Sequence, residues 1–516
     1  MAAVGVHPAQ ALDRAQAQGT SSTQRSMRWP WVVAIAVTAF LFRLVPVLRG
    51  GGVFGIGNYY DDGVYYASAT GLVHGQLPYQ DFLLLHPPGI TLLLAPFAAM
   101  AQVIGDSYGF AFARLAWMLL GAANAVLIWK ILRPVSPVAA LFGGFGYAVF
   151  YPAVYVEKST LLEGPATTAL LIAMVLLEPV AQGGSMPRSR ALAAGALLGL
   201  AITIKIWGVL TLLIILGWLL FVRRFHVALH VMIASAVSVT IICLPFFVGA
   251  PTAMWNQIVR DQFARPRDAG VPILDRLQGL AGLDIVDRSL PAAISVAAVA
   301  ALLCAAVLAW KYPEAQPAVL LMIVQGAFLL LTPLFFPQYP ALTAPAVAIT
   351  VGAAVGRLTG LVRAGPMRVA IIGSVAGALL VYASGYATVT FNRPFPDHFK
   401  AFTAVTPGCV TADDQTALVL TDSLSRNLMR GCRFIADLGG YSHDFAAASG
   451  RDTTRTRNRA FQRFALEYVG SGSVAIFIRY RDGRGFNART NAVVDQWSLL
   501  ARWDKYEVRQ PIELGR

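Results

Sequence analysis

The amino-acid sequence predicts a polytopic α-helical membrane protein of about 11–13 spans, followed by a small C-terminal extracytoplasmic α/β domain. Three observations predict it. Hydrophobic residues make up 56% of the 516 residues and charged residues only 13%, against about 25% charged in a soluble chain. Mean hydropathy is +0.59, and apolar runs of spanning length recur as far as residue 390. Composition then changes near residue 391, and nearly half of all charged residues fall in the last quarter of the chain.

The elements follow in order. Residues 1–28 are polar and rich in Ala, Gln and Ser. They lack a short apolar run with a small-residue cleavage site, so they are expected to form a disordered cytoplasmic tail. A membrane domain over 29–390 is expected to contain spans at 29–48, 110–132, 138–155, 162–179, 191–206, 208–222, 228–248, 290–310, 316–333, 341–360 and 368–390. Arg188/Arg190, Arg223/Arg224, Lys311 and Arg357/Arg363/Arg368 fall in short loops, which the positive-inside rule places in the cytoplasm. That puts 49–89, 155–162, 249–289, 334–340 and 391–516 on the outer side. Ile90–Ile104 is apolar but short and interrupted by Pro96. A full crossing there would reverse every later loop, so a partial or re-entrant helix is expected. Loop 49–89 is too long for a simple connector, and Asp62–His74 within it has the spacing of a helix lying on the membrane surface. In the C-terminal domain Ala417–Leu420, Arg433–Ala436 and Val474–Ile478 read as buried strands. Thr454–Val469 and Ala488–Trp503 read as amphipathic helices.

The net charge of +14 fits inside-facing Lys and Arg and contacts with anionic membrane lipids. No basic stripe with interleaved aromatics lies on a soluble domain, which argues against nucleic acid as a partner. Cys243 and Cys304 lie in apolar runs and read as packing residues. Cys409 and Cys432 lie in the polar region, where an outer location would permit a disulfide.

The first outer loop carries the chemistry. It reads Asn58-Tyr59-Tyr60-Asp61-Asp62-Gly63-Val64-Tyr65-Tyr66 and later His86-Pro87-Pro88-Gly89. Adjacent carboxylates repel, and packing alone does not call for them; they suit proton abstraction or a bound cation. A helix N-cap explains one of them. Tyr65 and its neighbours fit a sugar or a lipid headgroup. Prolines can simply start a helix, whereas His86 offers a bond to a phosphate or a sugar hydroxyl. Glu157, Lys158 and Glu163 cluster at an outer membrane edge: Glu157–Lys158 reads as a surface pair of little energetic weight, and Glu163 opens an apolar helix. Lys205 interrupts an apolar stretch and either snorkels or binds a lipid phosphate. Phe335-Phe336-Pro337-Gln338-Tyr339-Pro340 breaks another run, as an aromatic belt or a cavity lining. Asp413-Asp414 and Asp437-Leu438-Gly439-Gly440 read as turns, and the C-terminal domain shows no catalytic constellation.

Taken in order, Arg43, Asp61-Asp62, Gly75-Gln76-Leu77-Pro78-Tyr79-Gln80-Asp81-Phe82, His86-Pro87-Pro88-Gly89, Arg114, Glu163-Gly164-Pro165, the run Gly199–Lys205 and Gln338-Tyr339-Pro340 resemble the GT-C superfamily of membrane glycosyltransferases. That superfamily includes protein O-mannosyltransferases, aminoarabinose transferases and actinobacterial arabinosyl- and mannosyltransferases. The resemblance covers residues 29–350. Two departures stand out: the acidic motif is Asp-Asp, and Gln338 takes a place where members often carry a basic residue. The resemblance implies transfer of a sugar from a polyprenyl-phosphate carrier to an extracytoplasmic glycan, lipid or protein acceptor, with inversion. Asp61 or Asp62 would act as general base. Lys205, Arg265, Arg267 and Tyr339 would hold the donor phosphate, and His86, Glu163 and Tyr65 would contact substrate. A divalent cation, Mg or Mn, at Asp61/Asp62 is a further expectation, by analogy with oligosaccharyltransferases of the superfamily. Two rivals fit less well. A transporter would show paired, inverted-repeat helix interruptions, and a non-catalytic envelope-assembly scaffold has no need of the acidic loop.

The orientation is testable. A Ser471→Cys variant in intact cells is expected to react with a membrane-impermeant thiol reagent; labelling only after lysis would reverse the assigned sidedness.

Overall fold

The computed structural model describes residues 29–57, 59–263, 271–285, 291–449, 454–483 and 485–512. The predicted tail and the two arginines Arg265 and Arg267 lie outside them. Each of the eleven predicted spans is helical: Trp29–Arg49, Asp106–Leu132, Pro137–Val149 continued by Tyr151–Glu157, Glu163–Ala181, Arg188–Ile204, Gly208–Phe221, Phe225–Gly249, Ala292–Ala309, Gln316–Leu331, Ala344–Leu361 and Pro366–Ser384. By length and composition alone, seven helices among the described residues are long and apolar enough to cross a membrane, or eight if the pair meeting at Phe150 with a 54° bend is one span. Gly208–Phe221 and Gln316–Leu331 have 14 and 16 residues, short of the ~20 that a bilayer core requires at 1.5 Å per residue. Pro152 in the first turn of Tyr151–Glu157 explains the bend, because proline cannot donate to the preceding ladder.

The ambiguous segment forms the helix Gly89–Ile104. Leu85 and His86, just before it, line a cavity shared with the C-terminal residues. Just beyond its other end, Ser107 N donates to Asp422 Oδ1 at 2.8 Å, and Asp106 Oδ2 accepts from Ser425 N at 2.9 Å. The segments flanking the helix on both ends therefore face the same C-terminal domain.

Helix Asp61–Val73 corrects a second expectation. Ten of its 13 residues are buried, so it is enclosed by protein instead of lying on a lipid surface. One side packs on Gly89–Ile104, where Ser68 Oγ and Thr91 Oγ1 bond at 2.8 Å. The other faces the C-terminal domain.

That domain has a four-stranded sheet: β1 (Val410–Ala412), β2 (Val474–Phe477), β3 (Ser498–Trp503) and β4 (Tyr506–Gln510), in the order β1-β2-β4-β3. β1 and β2 are parallel and the other pairings antiparallel. Cys409 and Cys432 form a disulfide. Three local expectations fail. Ala417–Leu420 lies in the helix Gln415–Leu420, because Asp414 accepts from Thr416 N at 2.9 Å and caps it; a short buried apolar run does not by itself distinguish helix from strand. Arg433–Ala436 is irregular. The helix expected over 488–503 ends at Asp495, and Ser498–Trp503 turns back on β4 as a hairpin through Asp504, whose φ is +52°. The other helix begins at Arg459, where Asn458 caps it through Phe461 N. Cys304, expected to be packed, is exposed on its apolar helix.

The two parts share a core. Tyr66, Phe110 and Ile204 from the membrane helices join Phe391, Val410 and Tyr506 in one buried cluster, while Ile35, Ile128, Trp218 and Ile349 centre another within the bundle. A shared apolar core holds a domain far more firmly than a linker does. One close approach is at Gly63, where a Cβ would lie 2.7 Å from Thr416 N and 3.0 Å from its Cα. Backbone atoms cannot yield as a flexible side chain would. Gly63→Val is therefore expected to lower the melting temperature of the purified protein, through an overpacking cost of about 1–3 kcal/mol; an unchanged melt would refute this docking contact.

Candidate active site

A cavity of about 730 Å³ lies between the membrane helices and the C-terminal domain. Asp61, Tyr65, His86, Glu163, Lys205 and Tyr339, drawn from sites far apart in the sequence, all line it. Asp62 does not, and Arg265 and Arg267 lie outside the described residues.

The acidic pair divides. Both residues stand in the first turn of Asp61–Val73, where the helix dipole favours carboxylates. The N-cap is Tyr60, without a side-chain cap, so capping explains neither carboxylate. Asp61 faces the cavity, and Gln338 Nε2 donates to its Oδ2 at 3.3 Å. Asp62 is fully buried. Its Oδ2 accepts from Arg114 at 2.9 Å and from Ser159 Oγ at 2.7 Å, and its Oδ1 from Gly63 N at 2.9 Å. Arg114 compensates the charge of Asp62, so the mutual repulsion expected of the pair is relieved.

Lys205 ends helix Arg188–Ile204 in an extended conformation, which swings its side chain into the cavity. Its Nζ bonds Glu163 Oε1 at 2.5 Å and sits 4.3 Å and 5.0 Å from the ring centroids of Trp207 and Tyr339. Exposure is 10% for the Lys205 side chain and 5% for that of Glu163, so the lysine does not snorkel. Its anionic partner is Glu163, which the sequence had placed on the substrate. Tyr339 opens a short turn after the broken run, and Phe336 to Tyr339 line the cavity. The His86 ring meets Tyr65 edge-on at 5.6 Å.

Glu157 and Lys158 do not form the expected surface pair, since both are buried. Glu157 pairs with Arg43 and accepts from Asn124 and Tyr147. Lys158 Nζ lies 4.0 Å from the Tyr59 centroid and 4.3 Å from that of Phe391.

The opposite wall was not foreseen. Asp437, His443, Arg455, Arg479, Tyr480 and Lys505, all from the C-terminal domain, complete the cavity. The two predicted turns are indeed turns, with Asp437 Oδ1 accepting from Gly440 N at 2.7 Å, but they also shape this wall. Asp413 accepts from the N–H groups of Ile478, Arg479 and Tyr480 at 2.9, 3.0 and 2.6 Å. Burial pushes its carboxyl up to about 6 against the pull of those donors. Burial alone would lower Arg479, but Asp414, 2.6 Å away, more than reverses this and leaves it above its ordinary value. Burial raises the Tyr480 phenol to about 12. Below the wall, burial lifts Asp261 to about 6 despite its pairing with Arg260. The available signal was the density of arginines after residue 450 and the Arg479-Tyr480-Arg481 triplet, which have no motif spacing.

The profile of glycosyltransferase family 87 matches residues 84–337. The apo structure of ArnT from Cupriavidus metallidurans is similar over 94% of this chain and 98% of its own, with a TM-score of 0.61 at 14% identity. The chain has the fold of these membrane glycosyltransferases. ArnT bound to undecaprenyl phosphate gives a TM-score of 0.55 at 14% identity, over 94% of this chain and 99% of its own. The Archaeoglobus fulgidus oligosaccharyltransferase AglB, in complex with an inhibitory peptide and a dolichol-phosphate, gives 0.55 at 13% identity, over 88% of this chain and 69% of its own. No curated protein matches in sequence. Identities this low carry the fold alone, and a shared fold does not fix the function of a site.

A divalent cation fits the acidic pair poorly. Both oxygens of Asp62 are engaged by protein donors, and the described residues contain no group of three or more His, Cys, Asp or Glu placed to hold a metal ion.

The division of the pair makes a prediction. Asp62→Asn leaves the buried Arg114 without its counter-charge and is expected to destabilise the protein by about 3–5 kcal/mol. Asp61→Asn, half-exposed in the cavity, is expected to stay within about 0.5 kcal/mol of the parent. Thermal unfolding of the two variants side by side checks this; equal losses would refute it.

Proposed function

We propose that this protein transfers a sugar from a polyprenyl-phosphate carrier to a hydroxyl of a glycan, lipid or protein acceptor at the outer face of the plasma membrane. One observation carries the reading: a single cavity at a protein-enclosed membrane edge presents a carboxylate, Asp61, and a caged cation, Lys205. ArnT crystallised with undecaprenyl phosphate, and AglB with a dolichol-phosphate, support a polyprenyl-phosphate donor. The Cys409–Cys432 disulfide supports an oxidising, extracytoplasmic location for the C-terminal domain.

The chemistry follows from what each partner lacks. An acceptor hydroxyl is a weak nucleophile, and Asp61 within hydrogen-bond reach takes its proton as the oxygen attacks the anomeric carbon. The bond from that carbon to the phosphate oxygen breaks on the opposite face, inverting the configuration. The electron pair leaves with the polyprenyl phosphate, and Lys205 stabilises the charge left on it. Trp207 and Tyr339 hold the ammonium by cation–π contact, and Glu163 is the counter-ion that a phosphate shares or displaces. Gln338 orients Asp61 through its amide. Arg114 and Ser159 hold Asp62, which fixes the helix turn carrying Asp61. No step is routed through a metal ion.

The test is a panel of polyprenyl-phosphate sugars incubated with the purified protein, with hydrolysis or transfer measured. Asp61→Asn is expected to cut turnover by about 100-fold or more with donor affinity retained. Lys205→Ala is expected to weaken donor binding, and Lys205→Arg to recover part of it. Full activity in Asp61→Asn would refute the assignment of the base. Unchanged donor affinity and activity in Lys205→Ala would remove Lys205 from phosphate stabilisation.

A further inference from the structure

The membrane side of the cavity supplies Asp61, Lys205 and Glu163; the other side belongs to the C-terminal domain. Arginines in this protein differ in how completely they are engaged. Arg114 bonds Val53 O, Gly55 O and Asp62. Arg479 bonds Asp414 through Nε and Tyr59 O through Nη2, at 2.6 and 2.7 Å. Arg455, in the cavity wall, is less engaged than either. Among the described residues its one hydrogen bond is long, from Nε to Ser442 Oγ at 3.5 Å, and it makes no ion pair there. A guanidinium carries five N–H donors in a rigid fork, and no described residue accepts from either terminal nitrogen of Arg455. The group is also held in place, with its carbon 5.0 Å from the Tyr480 ring centroid and 5.8 Å from that of Phe461.

The surroundings are shaped to admit a ligand. Tyr60 and Tyr480 stack at 6.0 Å with planes 25° apart. Tyr60 immediately precedes Asp61, and its Oη accepts from Gly439 N at 2.8 Å. A Cβ at Gly439 would stand 2.7 Å from Tyr480 Oη and 3.0 Å from Arg455 Nη2, so glycine leaves the fork uncovered. Lys505 adds positive charge to this wall, partly offset by Asp482 at 3.6 Å. The other carboxylate in the wall, Asp437, accepts from its own turn at Gly440 N and is also an electrostatic partner of Arg455. A fixed, stacked guanidinium whose terminal nitrogens no described residue engages is suited to bidentate capture of a carboxylate or phosphate.

We infer that this wall is the acceptor subsite, and that the acceptor is a saccharide bearing an oxyanion, a phosphate or a carboxylate, which the Arg455 fork binds while the accepting hydroxyl reaches Asp61. The inference rests on the glycosyl-transfer reading for the word acceptor, but its test does not. Equilibrium binding of octyl glucoside, octyl glucuronide and octyl glucoside 6-phosphate is measured on the full chain in lipid nanodiscs. At least one of the two anionic probes is expected to bind about tenfold more tightly than octyl glucoside, the gain of one charge-assisted pair. Which of them gains distinguishes carboxylate from phosphate. Arg455→Gln is expected to erase the preference and Arg455→Lys to keep a fraction of it, with melting temperatures measured for both. Equal binding of all three probes by the parent protein would overturn the inference without any variant, as would a preference that survives Arg455→Gln. A protein that prefers the anions but transfers no sugar would refute the glycosyl-transfer reading and leave the subsite standing. One that transfers sugar without preferring anions would refute the subsite alone.

Discussion

The ion pair between Asp62 and Arg114 is the constraint on which the rest of the site depends. Arg114 reaches from the middle of helix Asp106–Leu132 to the carbonyls of Val53 and Gly55 and to Asp62 at 2.6, 2.8 and 2.9 Å. Ser159 reaches the same carboxylate from the segment after the bent helix pair, and Thr160 Oγ1 reaches the Asp62 carbonyl at 3.3 Å. One buried carboxylate thus ties the first outer loop, the helix bearing Asp61 and the broken span to a single membrane helix. Desolvation largely cancels the Coulomb gain of such a pair, so its contribution is registry more than net stability. That registry also fixes Asp61, which shares the same helical turn and lines the cavity.

The same device recurs one layer deeper. Arg43 pairs with Glu157 and also donates to the carbonyl of Ala148 at 3.0 Å, while Asn124 and Tyr147 occupy the remaining oxygen of Glu157 at 2.6 and 2.7 Å. Carbonyls are released where the helix bends after Val149, and in a bilayer they must find donors within the protein. Arg43 supplies one, and the Tyr386 hydroxyl supplies another to Val149 O at 3.0 Å. The break is therefore built in, and it lets the chain turn through Lys158 and Ser159 to reach Asp62. Lys158 in its aromatic cage of Tyr59, Tyr155 and Phe391 joins that turn to the segment leading into the C-terminal domain.

Much of the membrane architecture was legible in the sequence, because apolar run length is a direct physical requirement of the bilayer. All eleven runs are helices, although some, such as Gly208–Phe221 and Gln316–Leu331, are shorter than ~20 residues. Six cavity residues were legible for another reason. Asp61, His86, Glu163 and Lys205 are polar groups at membrane edges, where polarity is expensive, and Tyr65 and Tyr339 sit beside such breaks. What escaped was pairing. Nothing in the order of the chain says that Asp62 meets Arg114, that Lys205 meets Glu163, or that Glu157 turns away from Lys158 toward Arg43. Each match joins helices that are far apart in sequence.

The C-terminal wall escaped for a different reason. In a water-facing domain a polar residue costs nothing to display, so Asp437, Arg455 and Tyr480 carry no signal of their own. They become informative only when folding buries them against a membrane loop. The division of labour follows from this. The membrane half holds its cavity groups with buried charges that are hard to change singly. The domain half is anchored too, through the buried Asp413 with its three backbone donors and through Arg479 paired with Asp414. On the proposed reading, the reacting groups belong to the bundle and the domain that covers it shapes what it accepts.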